Sequence, residues 1–355
     1  MRKELLYIVS VALLFVSCEK YYTPKLDKVD SILVIESHLT NDAQQNFVKV
    51  TATNGYYDTN TTEPSDGVSV DLIDMQGKTM NALDYGNGYF RFTDTPVPGR
   101  EYKLVIRHYM DKYESEVVKM PSLPSIDTAY TEYQVQKTYR TNTIGPPVPI
   151  ETPVREMYID APITQSLQYY RFAWRAVLQW TITPPSTPFG SPPSTNGWLS
   201  LYDKDQGLIN LAGPKLYSSA SQIKKHPILS IPYEYGVYLD SKEKNKQGWI
   251  LIIDEFGITR ESYDFHNELN KQLTAEGNLF DPVLAQVYGN IHCTTNASKV
   301  VLGYFDLSSY RQYRYYFNVW AVDEGKVILR QLDKYPYIPD NGQTVGNPPY
   351  FWEFP

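Results

Sequence analysis

Short segments in which apolar and polar residues alternate recur between residues 30 and 120. A side-chain period of two is that of a β-strand with one buried and one solvated face. Turn dipeptides such as Asn54-Gly55, Gln76-Gly77 and Asn87-Gly88 separate the segments. The alternating segments, all rich in β-branched and aromatic residues, are 32–39, 46–53, 68–74, 89–94, 101–109 and 113–120. So many short strands within about 100 residues predict a β-sandwich.

One turn indicates which type of β-sandwich this is. Pro98-Gly99 marks a turn, after which Tyr102, Leu104 and Ile106 alternate towards one face. This arrangement is typical of immunoglobulin-like and transthyretin-like sandwiches. We therefore predict an N-terminal β-sandwich domain over residues 30–122.

A second β-rich domain is expected over residues 125–355. The junction "MPSLPSIDTAY" contains prolines that lack an amide donor, so we expect the sheet to stop there. Two Pro-rich segments, 145–153 and 183–193, are interpreted as long surface loops. Strong strand patterns lie around them, at 169–180, 249–256 and 313–321. The segment 249–256 is almost wholly apolar, which predicts a central strand.

A single amphipathic helix is predicted after residue 258. Thr259 is a candidate N-cap, Glu261 is an acid in the first turn and Gly277 a stop signal. Tyr263 and His266 recur at helical spacing, so we expect this helix to pack on the second sheet, with His266 at the rim or in the core rather than as a ligand. The predicted fold class is all-β: an immunoglobulin/transthyretin-like sandwich, then a larger β-rich sandwich-like domain with one amphipathic helix.

The N-terminus has the pattern of an export signal that ends in a cysteine. Arg2 and Lys3 precede an apolar run over 5–16, which is too short for a permanent transmembrane helix. Ser17 and Cys18 follow, and the tetrad "FVSC" is similar to a bacterial lipobox, with Phe in place of the usual Leu. We predict a lipoprotein signal peptide over 1–17, lipidation at Cys18 and a tether over 18–29. The alternatives are a plain secretion signal and an uncleaved anchor helix.

Charge and cysteine content narrow the classes of partner. Without residues 1–17 the chain has 31 basic and 39 acidic residues, a net charge of −8. An acidic surface argues against nucleic acid and against electrostatic docking on anionic lipid, so the acyl chains must supply the membrane attachment. Cys293 has no partner once Cys18 is acylated, and we expect a buried thiol. His292, its neighbour, should point to the opposite face of the same strand.

Catalytic and metal-binding motifs are missing from the sequence. It contains no Gly-x-Ser-x-Gly, phosphate loop, dinucleotide fingerprint, His-Glu-x-x-His or Cys-x-x-Cys. No two of the five histidines share one element at a ligand spacing. The acidic segment 58–66 is interpreted as a solvated turn, with a calcium loop as the alternative. We expect neither an enzyme nor a cofactor or metal site.

Several blocks of sequence together resemble one known family. They are "DSILVIESHLTN", "PVPGREYKLVI", "YESEVVKMPSLPSID", "GNLFDPVLAQVYGNIHCTTNASKVVLGYFDLSS" and the terminal "NPPYFWE". The chain looks like a member of the domain of unknown function 4249 family, lipoproteins found chiefly in Bacteroidota. The resemblance implies a place beside TonB-dependent outer-membrane receptors. For residues 289–305 we also expect a plain structural role, with glycines giving backbone freedom and Tyr304 and Phe305 filling a core.

The sequence and the resemblance together lead to one functional hypothesis and one alternative. The hypothesis is a non-enzymatic, lipid-anchored outer-membrane protein, on the periplasmic or the cell-surface face, that binds or scaffolds an outer-membrane protein such as a TonB-dependent receptor. The expected contact residues are surface aromatics, namely Tyr56, Tyr57, Trp198, Tyr310 and Tyr316. The alternative is direct binding of a glycan or peptide through Trp198 and the Pro-rich loops.

Overall fold

Two pairs of β-sheets enclose two apolar cores in the computed structural model of the chain. The structure describes residues 31–53, 67–140, 146–182, 186–190, 195–203, 207–216, 221–232, 248–274, 287–317, 325–332 and 344–345. These residues are mostly in strands, and the all-β, sandwich-like fold class is confirmed. None of the helices in this described part is long and apolar enough to cross a membrane.

The first sandwich consists of a five-stranded and a six-stranded sheet. The five-stranded sheet has the order β18-β1-β2-β6-β5, and the other has β17-β8-β7-β3-β4 with β9 paired to β7. The strands are β1 (Leu33–Leu39), β2 (Phe47–Ala52), β3 (Val68–Asp74), β4 (Thr79–Asn81), β5 (Leu83–Asp84), β6 (Tyr89–Arg91), β7 (Glu101–His108), β8 (Asp111–Ser115), β9 (Val118–Lys119), β17 (Ile291–Cys293) and β18 (Val301–Leu307). A short 3-10 helix, Ala43–Gln45, joins β1 and β2.

The alternating segments form strands because one side of each is apolar. Ile35 and Leu39 of β1, Val48 and Val50 of β2, and Leu104 of β7 are almost fully buried between the two sheets. The segment 113–120 does not form one continuous strand: it is divided between β8 and β9. The short strands β4 and β5 lie in a region where no strand was predicted from the sequence.

Two strands from far along the chain complete the first sandwich. β17 pairs antiparallel with β8, and β18 pairs parallel with β1 over seven residues. The range of 30–122 predicted for this unit does not include them. Cys293 on β17 is a buried free thiol in the sandwich core, and His292 points out to solvent, so both expectations for this dipeptide are confirmed.

Two glycines allow the close approach of β18 to its neighbours. Gly303 has a φ of +102°, and an added Cβ would overlap the carbonyl group of Ile35 on β1. At Gly289 an added Cβ would overlap the carbonyl group of Gly303 itself. Tyr304 and Phe305 are buried. The structural role predicted for residues 289–305 is confirmed for the glycines and for Phe305, which lies in the first core, whereas Tyr304 is buried outside that core.

The second sandwich consists of a four-stranded and a seven-stranded sheet. The first has the order β15-β11-β10-β20, and the second has β21-β19-β16-β12-β13-β22 with β14 paired to β12. The strands are β10 (Thr128–Arg140), β11 (Val148–Pro162), β12 (Tyr169–Ile182), β13 (Thr195–Tyr202), β14 (Asn210–Ala212), β15 (Gln222–Pro232), β16 (Gly248–Ile258), β19 (Ser309–Phe317), β20 (Val327–Ile328), β21 (Arg330–Gln331) and β22 (Thr344–Val345). A 3-10 helix, Pro214–Leu216, follows β14.

The second core follows the alternation read from the sequence. Tyr170, Phe172 and Trp174 of β12 are buried, as are Tyr313 and Tyr315 of β19. β16 lies between these two strands, which confirms the central strand predicted at 249–256.

The prediction of a surface loop over residues 145–153 is wrong, because 148–153 belong to β11. In this part β11 pairs with β10, and no strand among the described residues pairs with its other edge. Pro149 and Pro153 are tolerated there because proline needs no ladder donor at an open edge. Of the second Pro-rich segment, only residues 186–190 are described, and Thr187 and Gly190 form an isolated bridge there.

The predicted amphipathic helix is α1 (Arg260–Leu273). Thr259 caps it, because its side chain accepts a hydrogen bond from the Ser262 N–H. Tyr263 packs with Leu211 and Phe256 on the outer face of the seven-stranded sheet. The amide group of Asn270 binds both backbone polar groups of Ile209. The helix ends at Leu273, and the predicted stop at Gly277 lies outside the described residues.

Candidate functional site

The carboxylate of Asp306 is the centre of a buried polar cluster where the two sandwiches meet helix α1. Asp306 lies on β18 directly opposite His38 of β1 in the parallel register. Oδ2 of Asp306 is 3.2 Å from Nδ1 of His38 and 3.5 Å from Nη2 of Arg171, and Oδ1 is 3.0 Å from the hydroxyl of Ser262. One carboxylate therefore connects two strands of the first sandwich, one strand of the second and the helix.

Direct contacts between charged side chains balance the charges at this centre. Burial favours the neutral form of Asp306, but the hydrogen bond from His38 and the positive charge of Arg171 outweigh it and hold the pKa of Asp306 well below its usual value. The carboxylate is therefore ionised and paired with the Arg171 guanidinium. That guanidinium also lies 4.1 Å from the ring centroid of Phe256, a cation–π contact.

His38 is held in one orientation by its neighbours. Its Nδ1 lies 3.2 Å from Oδ2 of Asp306 and 3.3 Å from Nη2 of Arg171, and because the shorter contact is to an ionised carboxylate, which can only accept, we assign the proton to Nδ1. The ring packs edge-on against Phe256 with 5.2 Å between the ring centroids. Burial lowers the pKa of His38, so the ring is neutral near pH 7. Because Nδ1 carries the proton, Nε2 of the neutral ring has a free lone pair.

His266 is held in the same way by helix α1. Its Nδ1 donates to the backbone carbonyl of Ser262, one helical turn earlier, at 2.7 Å. A carbonyl oxygen can only accept, so the proton is again on Nδ1 and the lone pair on Nε2. Burial lowers the pKa of His266 as well.

Both histidines line a cavity of about 690 Å³ between helix α1 and the outer face of β1 and β18. Its walls are mainly apolar: Phe265 and Tyr304 stack with 4.3 Å between ring centroids, and Leu269 and Phe47 extend the same surface. Arg171 and Asp306 contribute to the polar part, and Glu36 and Gln272 supply further polar groups. The cavity thus combines apolar walls with a few convergent polar groups, the usual composition of a small-molecule site.

Three of the aromatic residues predicted as contacts, Trp198, Tyr310 and Tyr316, lie in the part of the chain that the structure describes, and Trp198 and Tyr316 pack against one apolar cluster. Tyr310 is only 7 % exposed, and its hydroxyl donates to Asp254 Oδ1 at 2.7 Å, so its predicted exposure is wrong. Tyr316 and Trp198 are half-buried and pack against Val177, Ile250 and Ile252. Tyr56, Tyr57, the segment 58–66 and the lipidation site Cys18 lie outside the described residues.

Sequence reasoning missed the cluster around Asp306, because its members come from four separate regions of the chain. His266 was predicted only as a rim or core residue of the amphipathic helix, and the other members of the cluster were not singled out. The one local signal is the spacing of Ser262 and His266, which places both on one face of α1. Among the residues that the structure describes, no group of three or more His, Cys, Asp or Glu side chains could hold a metal ion.

Comparison with known proteins identifies a family but no characterised relative. No curated protein and no solved structure matches the sequence. A family model described as a domain of unknown function, DUF4249, matches residues 19–314, which is most of the chain and includes all of the cluster around Asp306. The chain therefore belongs to the DUF4249 family.

Proposed function

We propose that the protein is a non-enzymatic lipoprotein, anchored in the outer membrane through acylated Cys18, that acts as a binding or scaffolding accessory of an outer-membrane complex. The partner in this proposal is a TonB-dependent receptor of a nutrient-uptake system. The lipobox-like "FVSC" and the family resemblance support the anchor and the location. The structural observation that supports a docking role is a projecting hairpin of the second sandwich.

This hairpin arm comprises residues 135–140 of β10 and 148–153 of β11. Its two strands pair with each other in register, whereas β20 reaches only Tyr130 and Thr131 of β10, and β15 begins its pairing with β11 at Val154. Every side chain of the arm is exposed or half-buried. Among the described residues the arm covers no core, and a two-stranded ribbon alone is marginally stable, so a partner that packs on it stabilises it.

One face of the arm offers apolar area for such a partner. Cross-strand register and alternation place Val135, Tyr139, Pro149 and Pro153 on the same face, on either side of the Lys137–Glu151 ion pair, with Tyr133 at its base. Tyr139 is 68 % exposed and Val135 is 44 % exposed. Exposed tyrosines and aliphatic side chains clustered in this way are typical of protein-contact surfaces.

Co-purification from outer membranes tests the docking role. Full-length protein extracted in mild detergent should bring a TonB-dependent receptor with it, identified by mass spectrometry. The double variant Val135→Ser/Tyr139→Ser should lose that receptor. The control Met110→Ser/Val117→Ser removes comparable exposed apolar residues from the first sandwich and should retain it. Retention by the arm variant, or the absence of any receptor from the wild-type sample, would refute the proposal.

The anchor has its own test, independent of the partner. Metabolic labelling with palmitate should mark the wild type and not Cys18→Ser, and the variant should leave the membrane fraction. A variant that stays wholly with the membranes, together with unlabelled wild type, would remove the lipoprotein assignment. The alternative from the sequence, glycan or peptide binding through Trp198, has less support because Trp198 is packed against Ile250 and its neighbours.

A further inference from the structure

The cavity beside helix α1 contains a few polar groups that take no part in the proposed docking role. His38 and His266 each direct Nδ1–H to a fixed acceptor, and Nε2 of each ring makes no hydrogen bond within the described residues. Because both rings line the cavity and are held in place by buried structure, the two Nε2 lone pairs are its candidate acceptors, a preorganised arrangement that needs no rearrangement on binding.

We propose that this cavity binds an uncharged, mainly apolar molecule that carries hydroxyl groups, with Nε2 of His266 and of His38 accepting hydrogen bonds from them. The stacked rings of Phe265 and Tyr304, with Phe47 and Leu269, contact the apolar body. A volume of about 690 Å³ holds a molecule of drug-like size.

An anionic ligand fits the cavity poorly. The Arg171 guanidinium is already paired with Asp306 and stacked on Phe256, so it has no unpaired charge to offer. The two imidazole nitrogens present lone pairs, and Glu36 on the cavity wall adds a carboxylate. A carboxylate ligand would bring a further negative charge into mainly apolar surroundings beside these groups, at a high desolvation cost.

A cationic ligand is disfavoured for a different reason. The Asp306 carboxylate on the cavity wall is already engaged by His38, Arg171 and Ser262, so it offers a cation no free partner. Moving an ammonium group from water into mainly apolar surroundings costs much more than moving a hydroxyl group. Neutral hydroxyl groups satisfy the two acceptors without that cost.

A matched series of naphthalene probes tests the proposal. The full-length chain in lipid nanodiscs is titrated with 2-naphthol, naphthalene, 2-naphthoate and 2-naphthylmethylammonium, and the fluorescence change from empty nanodiscs is subtracted. We expect 2-naphthol to bind most tightly, about tenfold more tightly than naphthalene, because one additional hydrogen bond forms. Tighter binding of either charged probe, equal binding of naphthol and naphthalene, or no binding of any probe would overturn the proposal.

Variants locate the site and separate it from the docking role. His266→Phe removes one of the two acceptors and should reduce naphthol affinity towards that of naphthalene. Leu302→Trp, which fills the cavity, should abolish binding of all four probes. His292→Phe, on an exposed residue of β17, should bind naphthol as the wild type does. Unchanged naphthol binding by His266→Phe or Leu302→Trp would refute the assignment. None of these substitutions lies in the hairpin arm, so receptor co-purification should be unchanged in all three variants. The two proposals can therefore fail independently.

A measurement on the unmodified chain avoids any effect of substitution on folding. In protein labelled with ¹⁵N-histidine, 2-naphthol should shift the Nε2 resonances of His38 and His266, and leave that of His292 unchanged. Resonances that all stay in place at saturating naphthol would contradict binding at this cavity.

Discussion

His38 and Asp306 are 268 residues apart in the chain, yet they lie directly opposite each other on adjacent parallel strands and share a 3.2 Å hydrogen bond. The same carboxylate is bound by Arg171 of the second sandwich and Ser262 of helix α1. Asp306 therefore connects the first sandwich to the rest of the described chain, in addition to forming the floor of the cavity.

Asp306→Asn should destabilise the protein strongly. The change leaves the buried Arg171 guanidinium without its counter-charge, and breaking a buried ion pair by removing one partner typically costs about 3–5 kcal/mol. Urea unfolding measures the free energy of unfolding. The control is Asp94→Asn. The ion pair of Asp94 with Lys78 is more than half exposed, so its loss should lower the free energy of unfolding by less than about 1 kcal/mol. Equal effects of the two substitutions would contradict the central role given to Asp306.

Gly303→Ala should disrupt the pairing of β18 with β1. Gly303 has a φ of +102°, and the new methyl group would overlap the Ile35 carbonyl, so strain and collision combine. Gly77→Ala is the matched control, because Gly77 has a φ of +106° with open space around it. We expect the control to lose about 1–2 kcal/mol of unfolding free energy and Gly303→Ala more than about 4 kcal/mol. Thermal unfolding of both variants would show whether collision adds to strain.

Glu255→Gln should change how stability depends on pH. The Glu255 carboxylate is buried with no hydrogen-bond partner among the described residues, and burial raises its pKa to about 8. In the unfolded chain its pKa is near 4.5, so the folded state holds an extra proton between these values. Protonated Glu255 therefore stabilises the folded state fully below about pH 4.5. This stabilisation is lost as the pH rises towards 8, and the free energy of unfolding falls by a total on the order of 5 kcal/mol.

The measurement for Glu255 is the difference in unfolding free energy between wild type and variant from pH 4.5 to pH 8. It should favour the variant increasingly as the pH rises. Glu114→Gln is the opposite case, since hydrogen bonds from Lys103 and Lys112 lower the Glu114 pKa to about 2. The Glu114 carboxylate stabilises the folded protein above about pH 4.5, and this stabilisation is lost on acidification towards pH 2. A pH-independent difference for Glu255→Gln would show that this carboxyl group does not titrate as described.

Thr259→Ala should weaken the first turn of helix α1. The Thr259 side chain accepts the Ser262 N–H, and losing such a cap costs about 1 kcal/mol. Thr259→Ser keeps the hydroxyl and should behave as the wild type does. Hydrogen exchange at the Ser262 amide should become faster in the alanine variant alone. Unchanged exchange in that variant would mean that the cap does not hold the turn.

The sequence predicted those parts of the fold that depend on local pattern. Alternation identified the buried faces of β12 and β19 because each face contacts a core directly. The hairpin arm was predicted as a loop because proline usually interrupts strands. Pro149 and Pro153 instead lie on a strand edge with which no described strand pairs. Whether an edge is open depends on neighbouring strands, which a local pattern does not contain.

The cluster around Asp306 was beyond such reasoning for a related physical reason. Its four interacting side chains join β1, β12, α1 and β18, and only the parallel register of β1 and β18 brings His38 to Asp306. Each residue alone has an ordinary explanation as a strand or helix residue. The glycines of 289–305 gave the one indication that this segment approaches another backbone closely.

The pairing of β1 with β18 also affects how the molecule is made. The ribosome must synthesise the chain through Leu307 before the first sandwich has all its strands. β1 therefore remains without its partner β18 during most of synthesis. In that interval the apolar side of β1 is open to wrong pairing and aggregation. Holdase chaperones should therefore be engaged early in biogenesis, and nascent chains that stop short of β18 should be degraded rather than accumulate as a stable fragment.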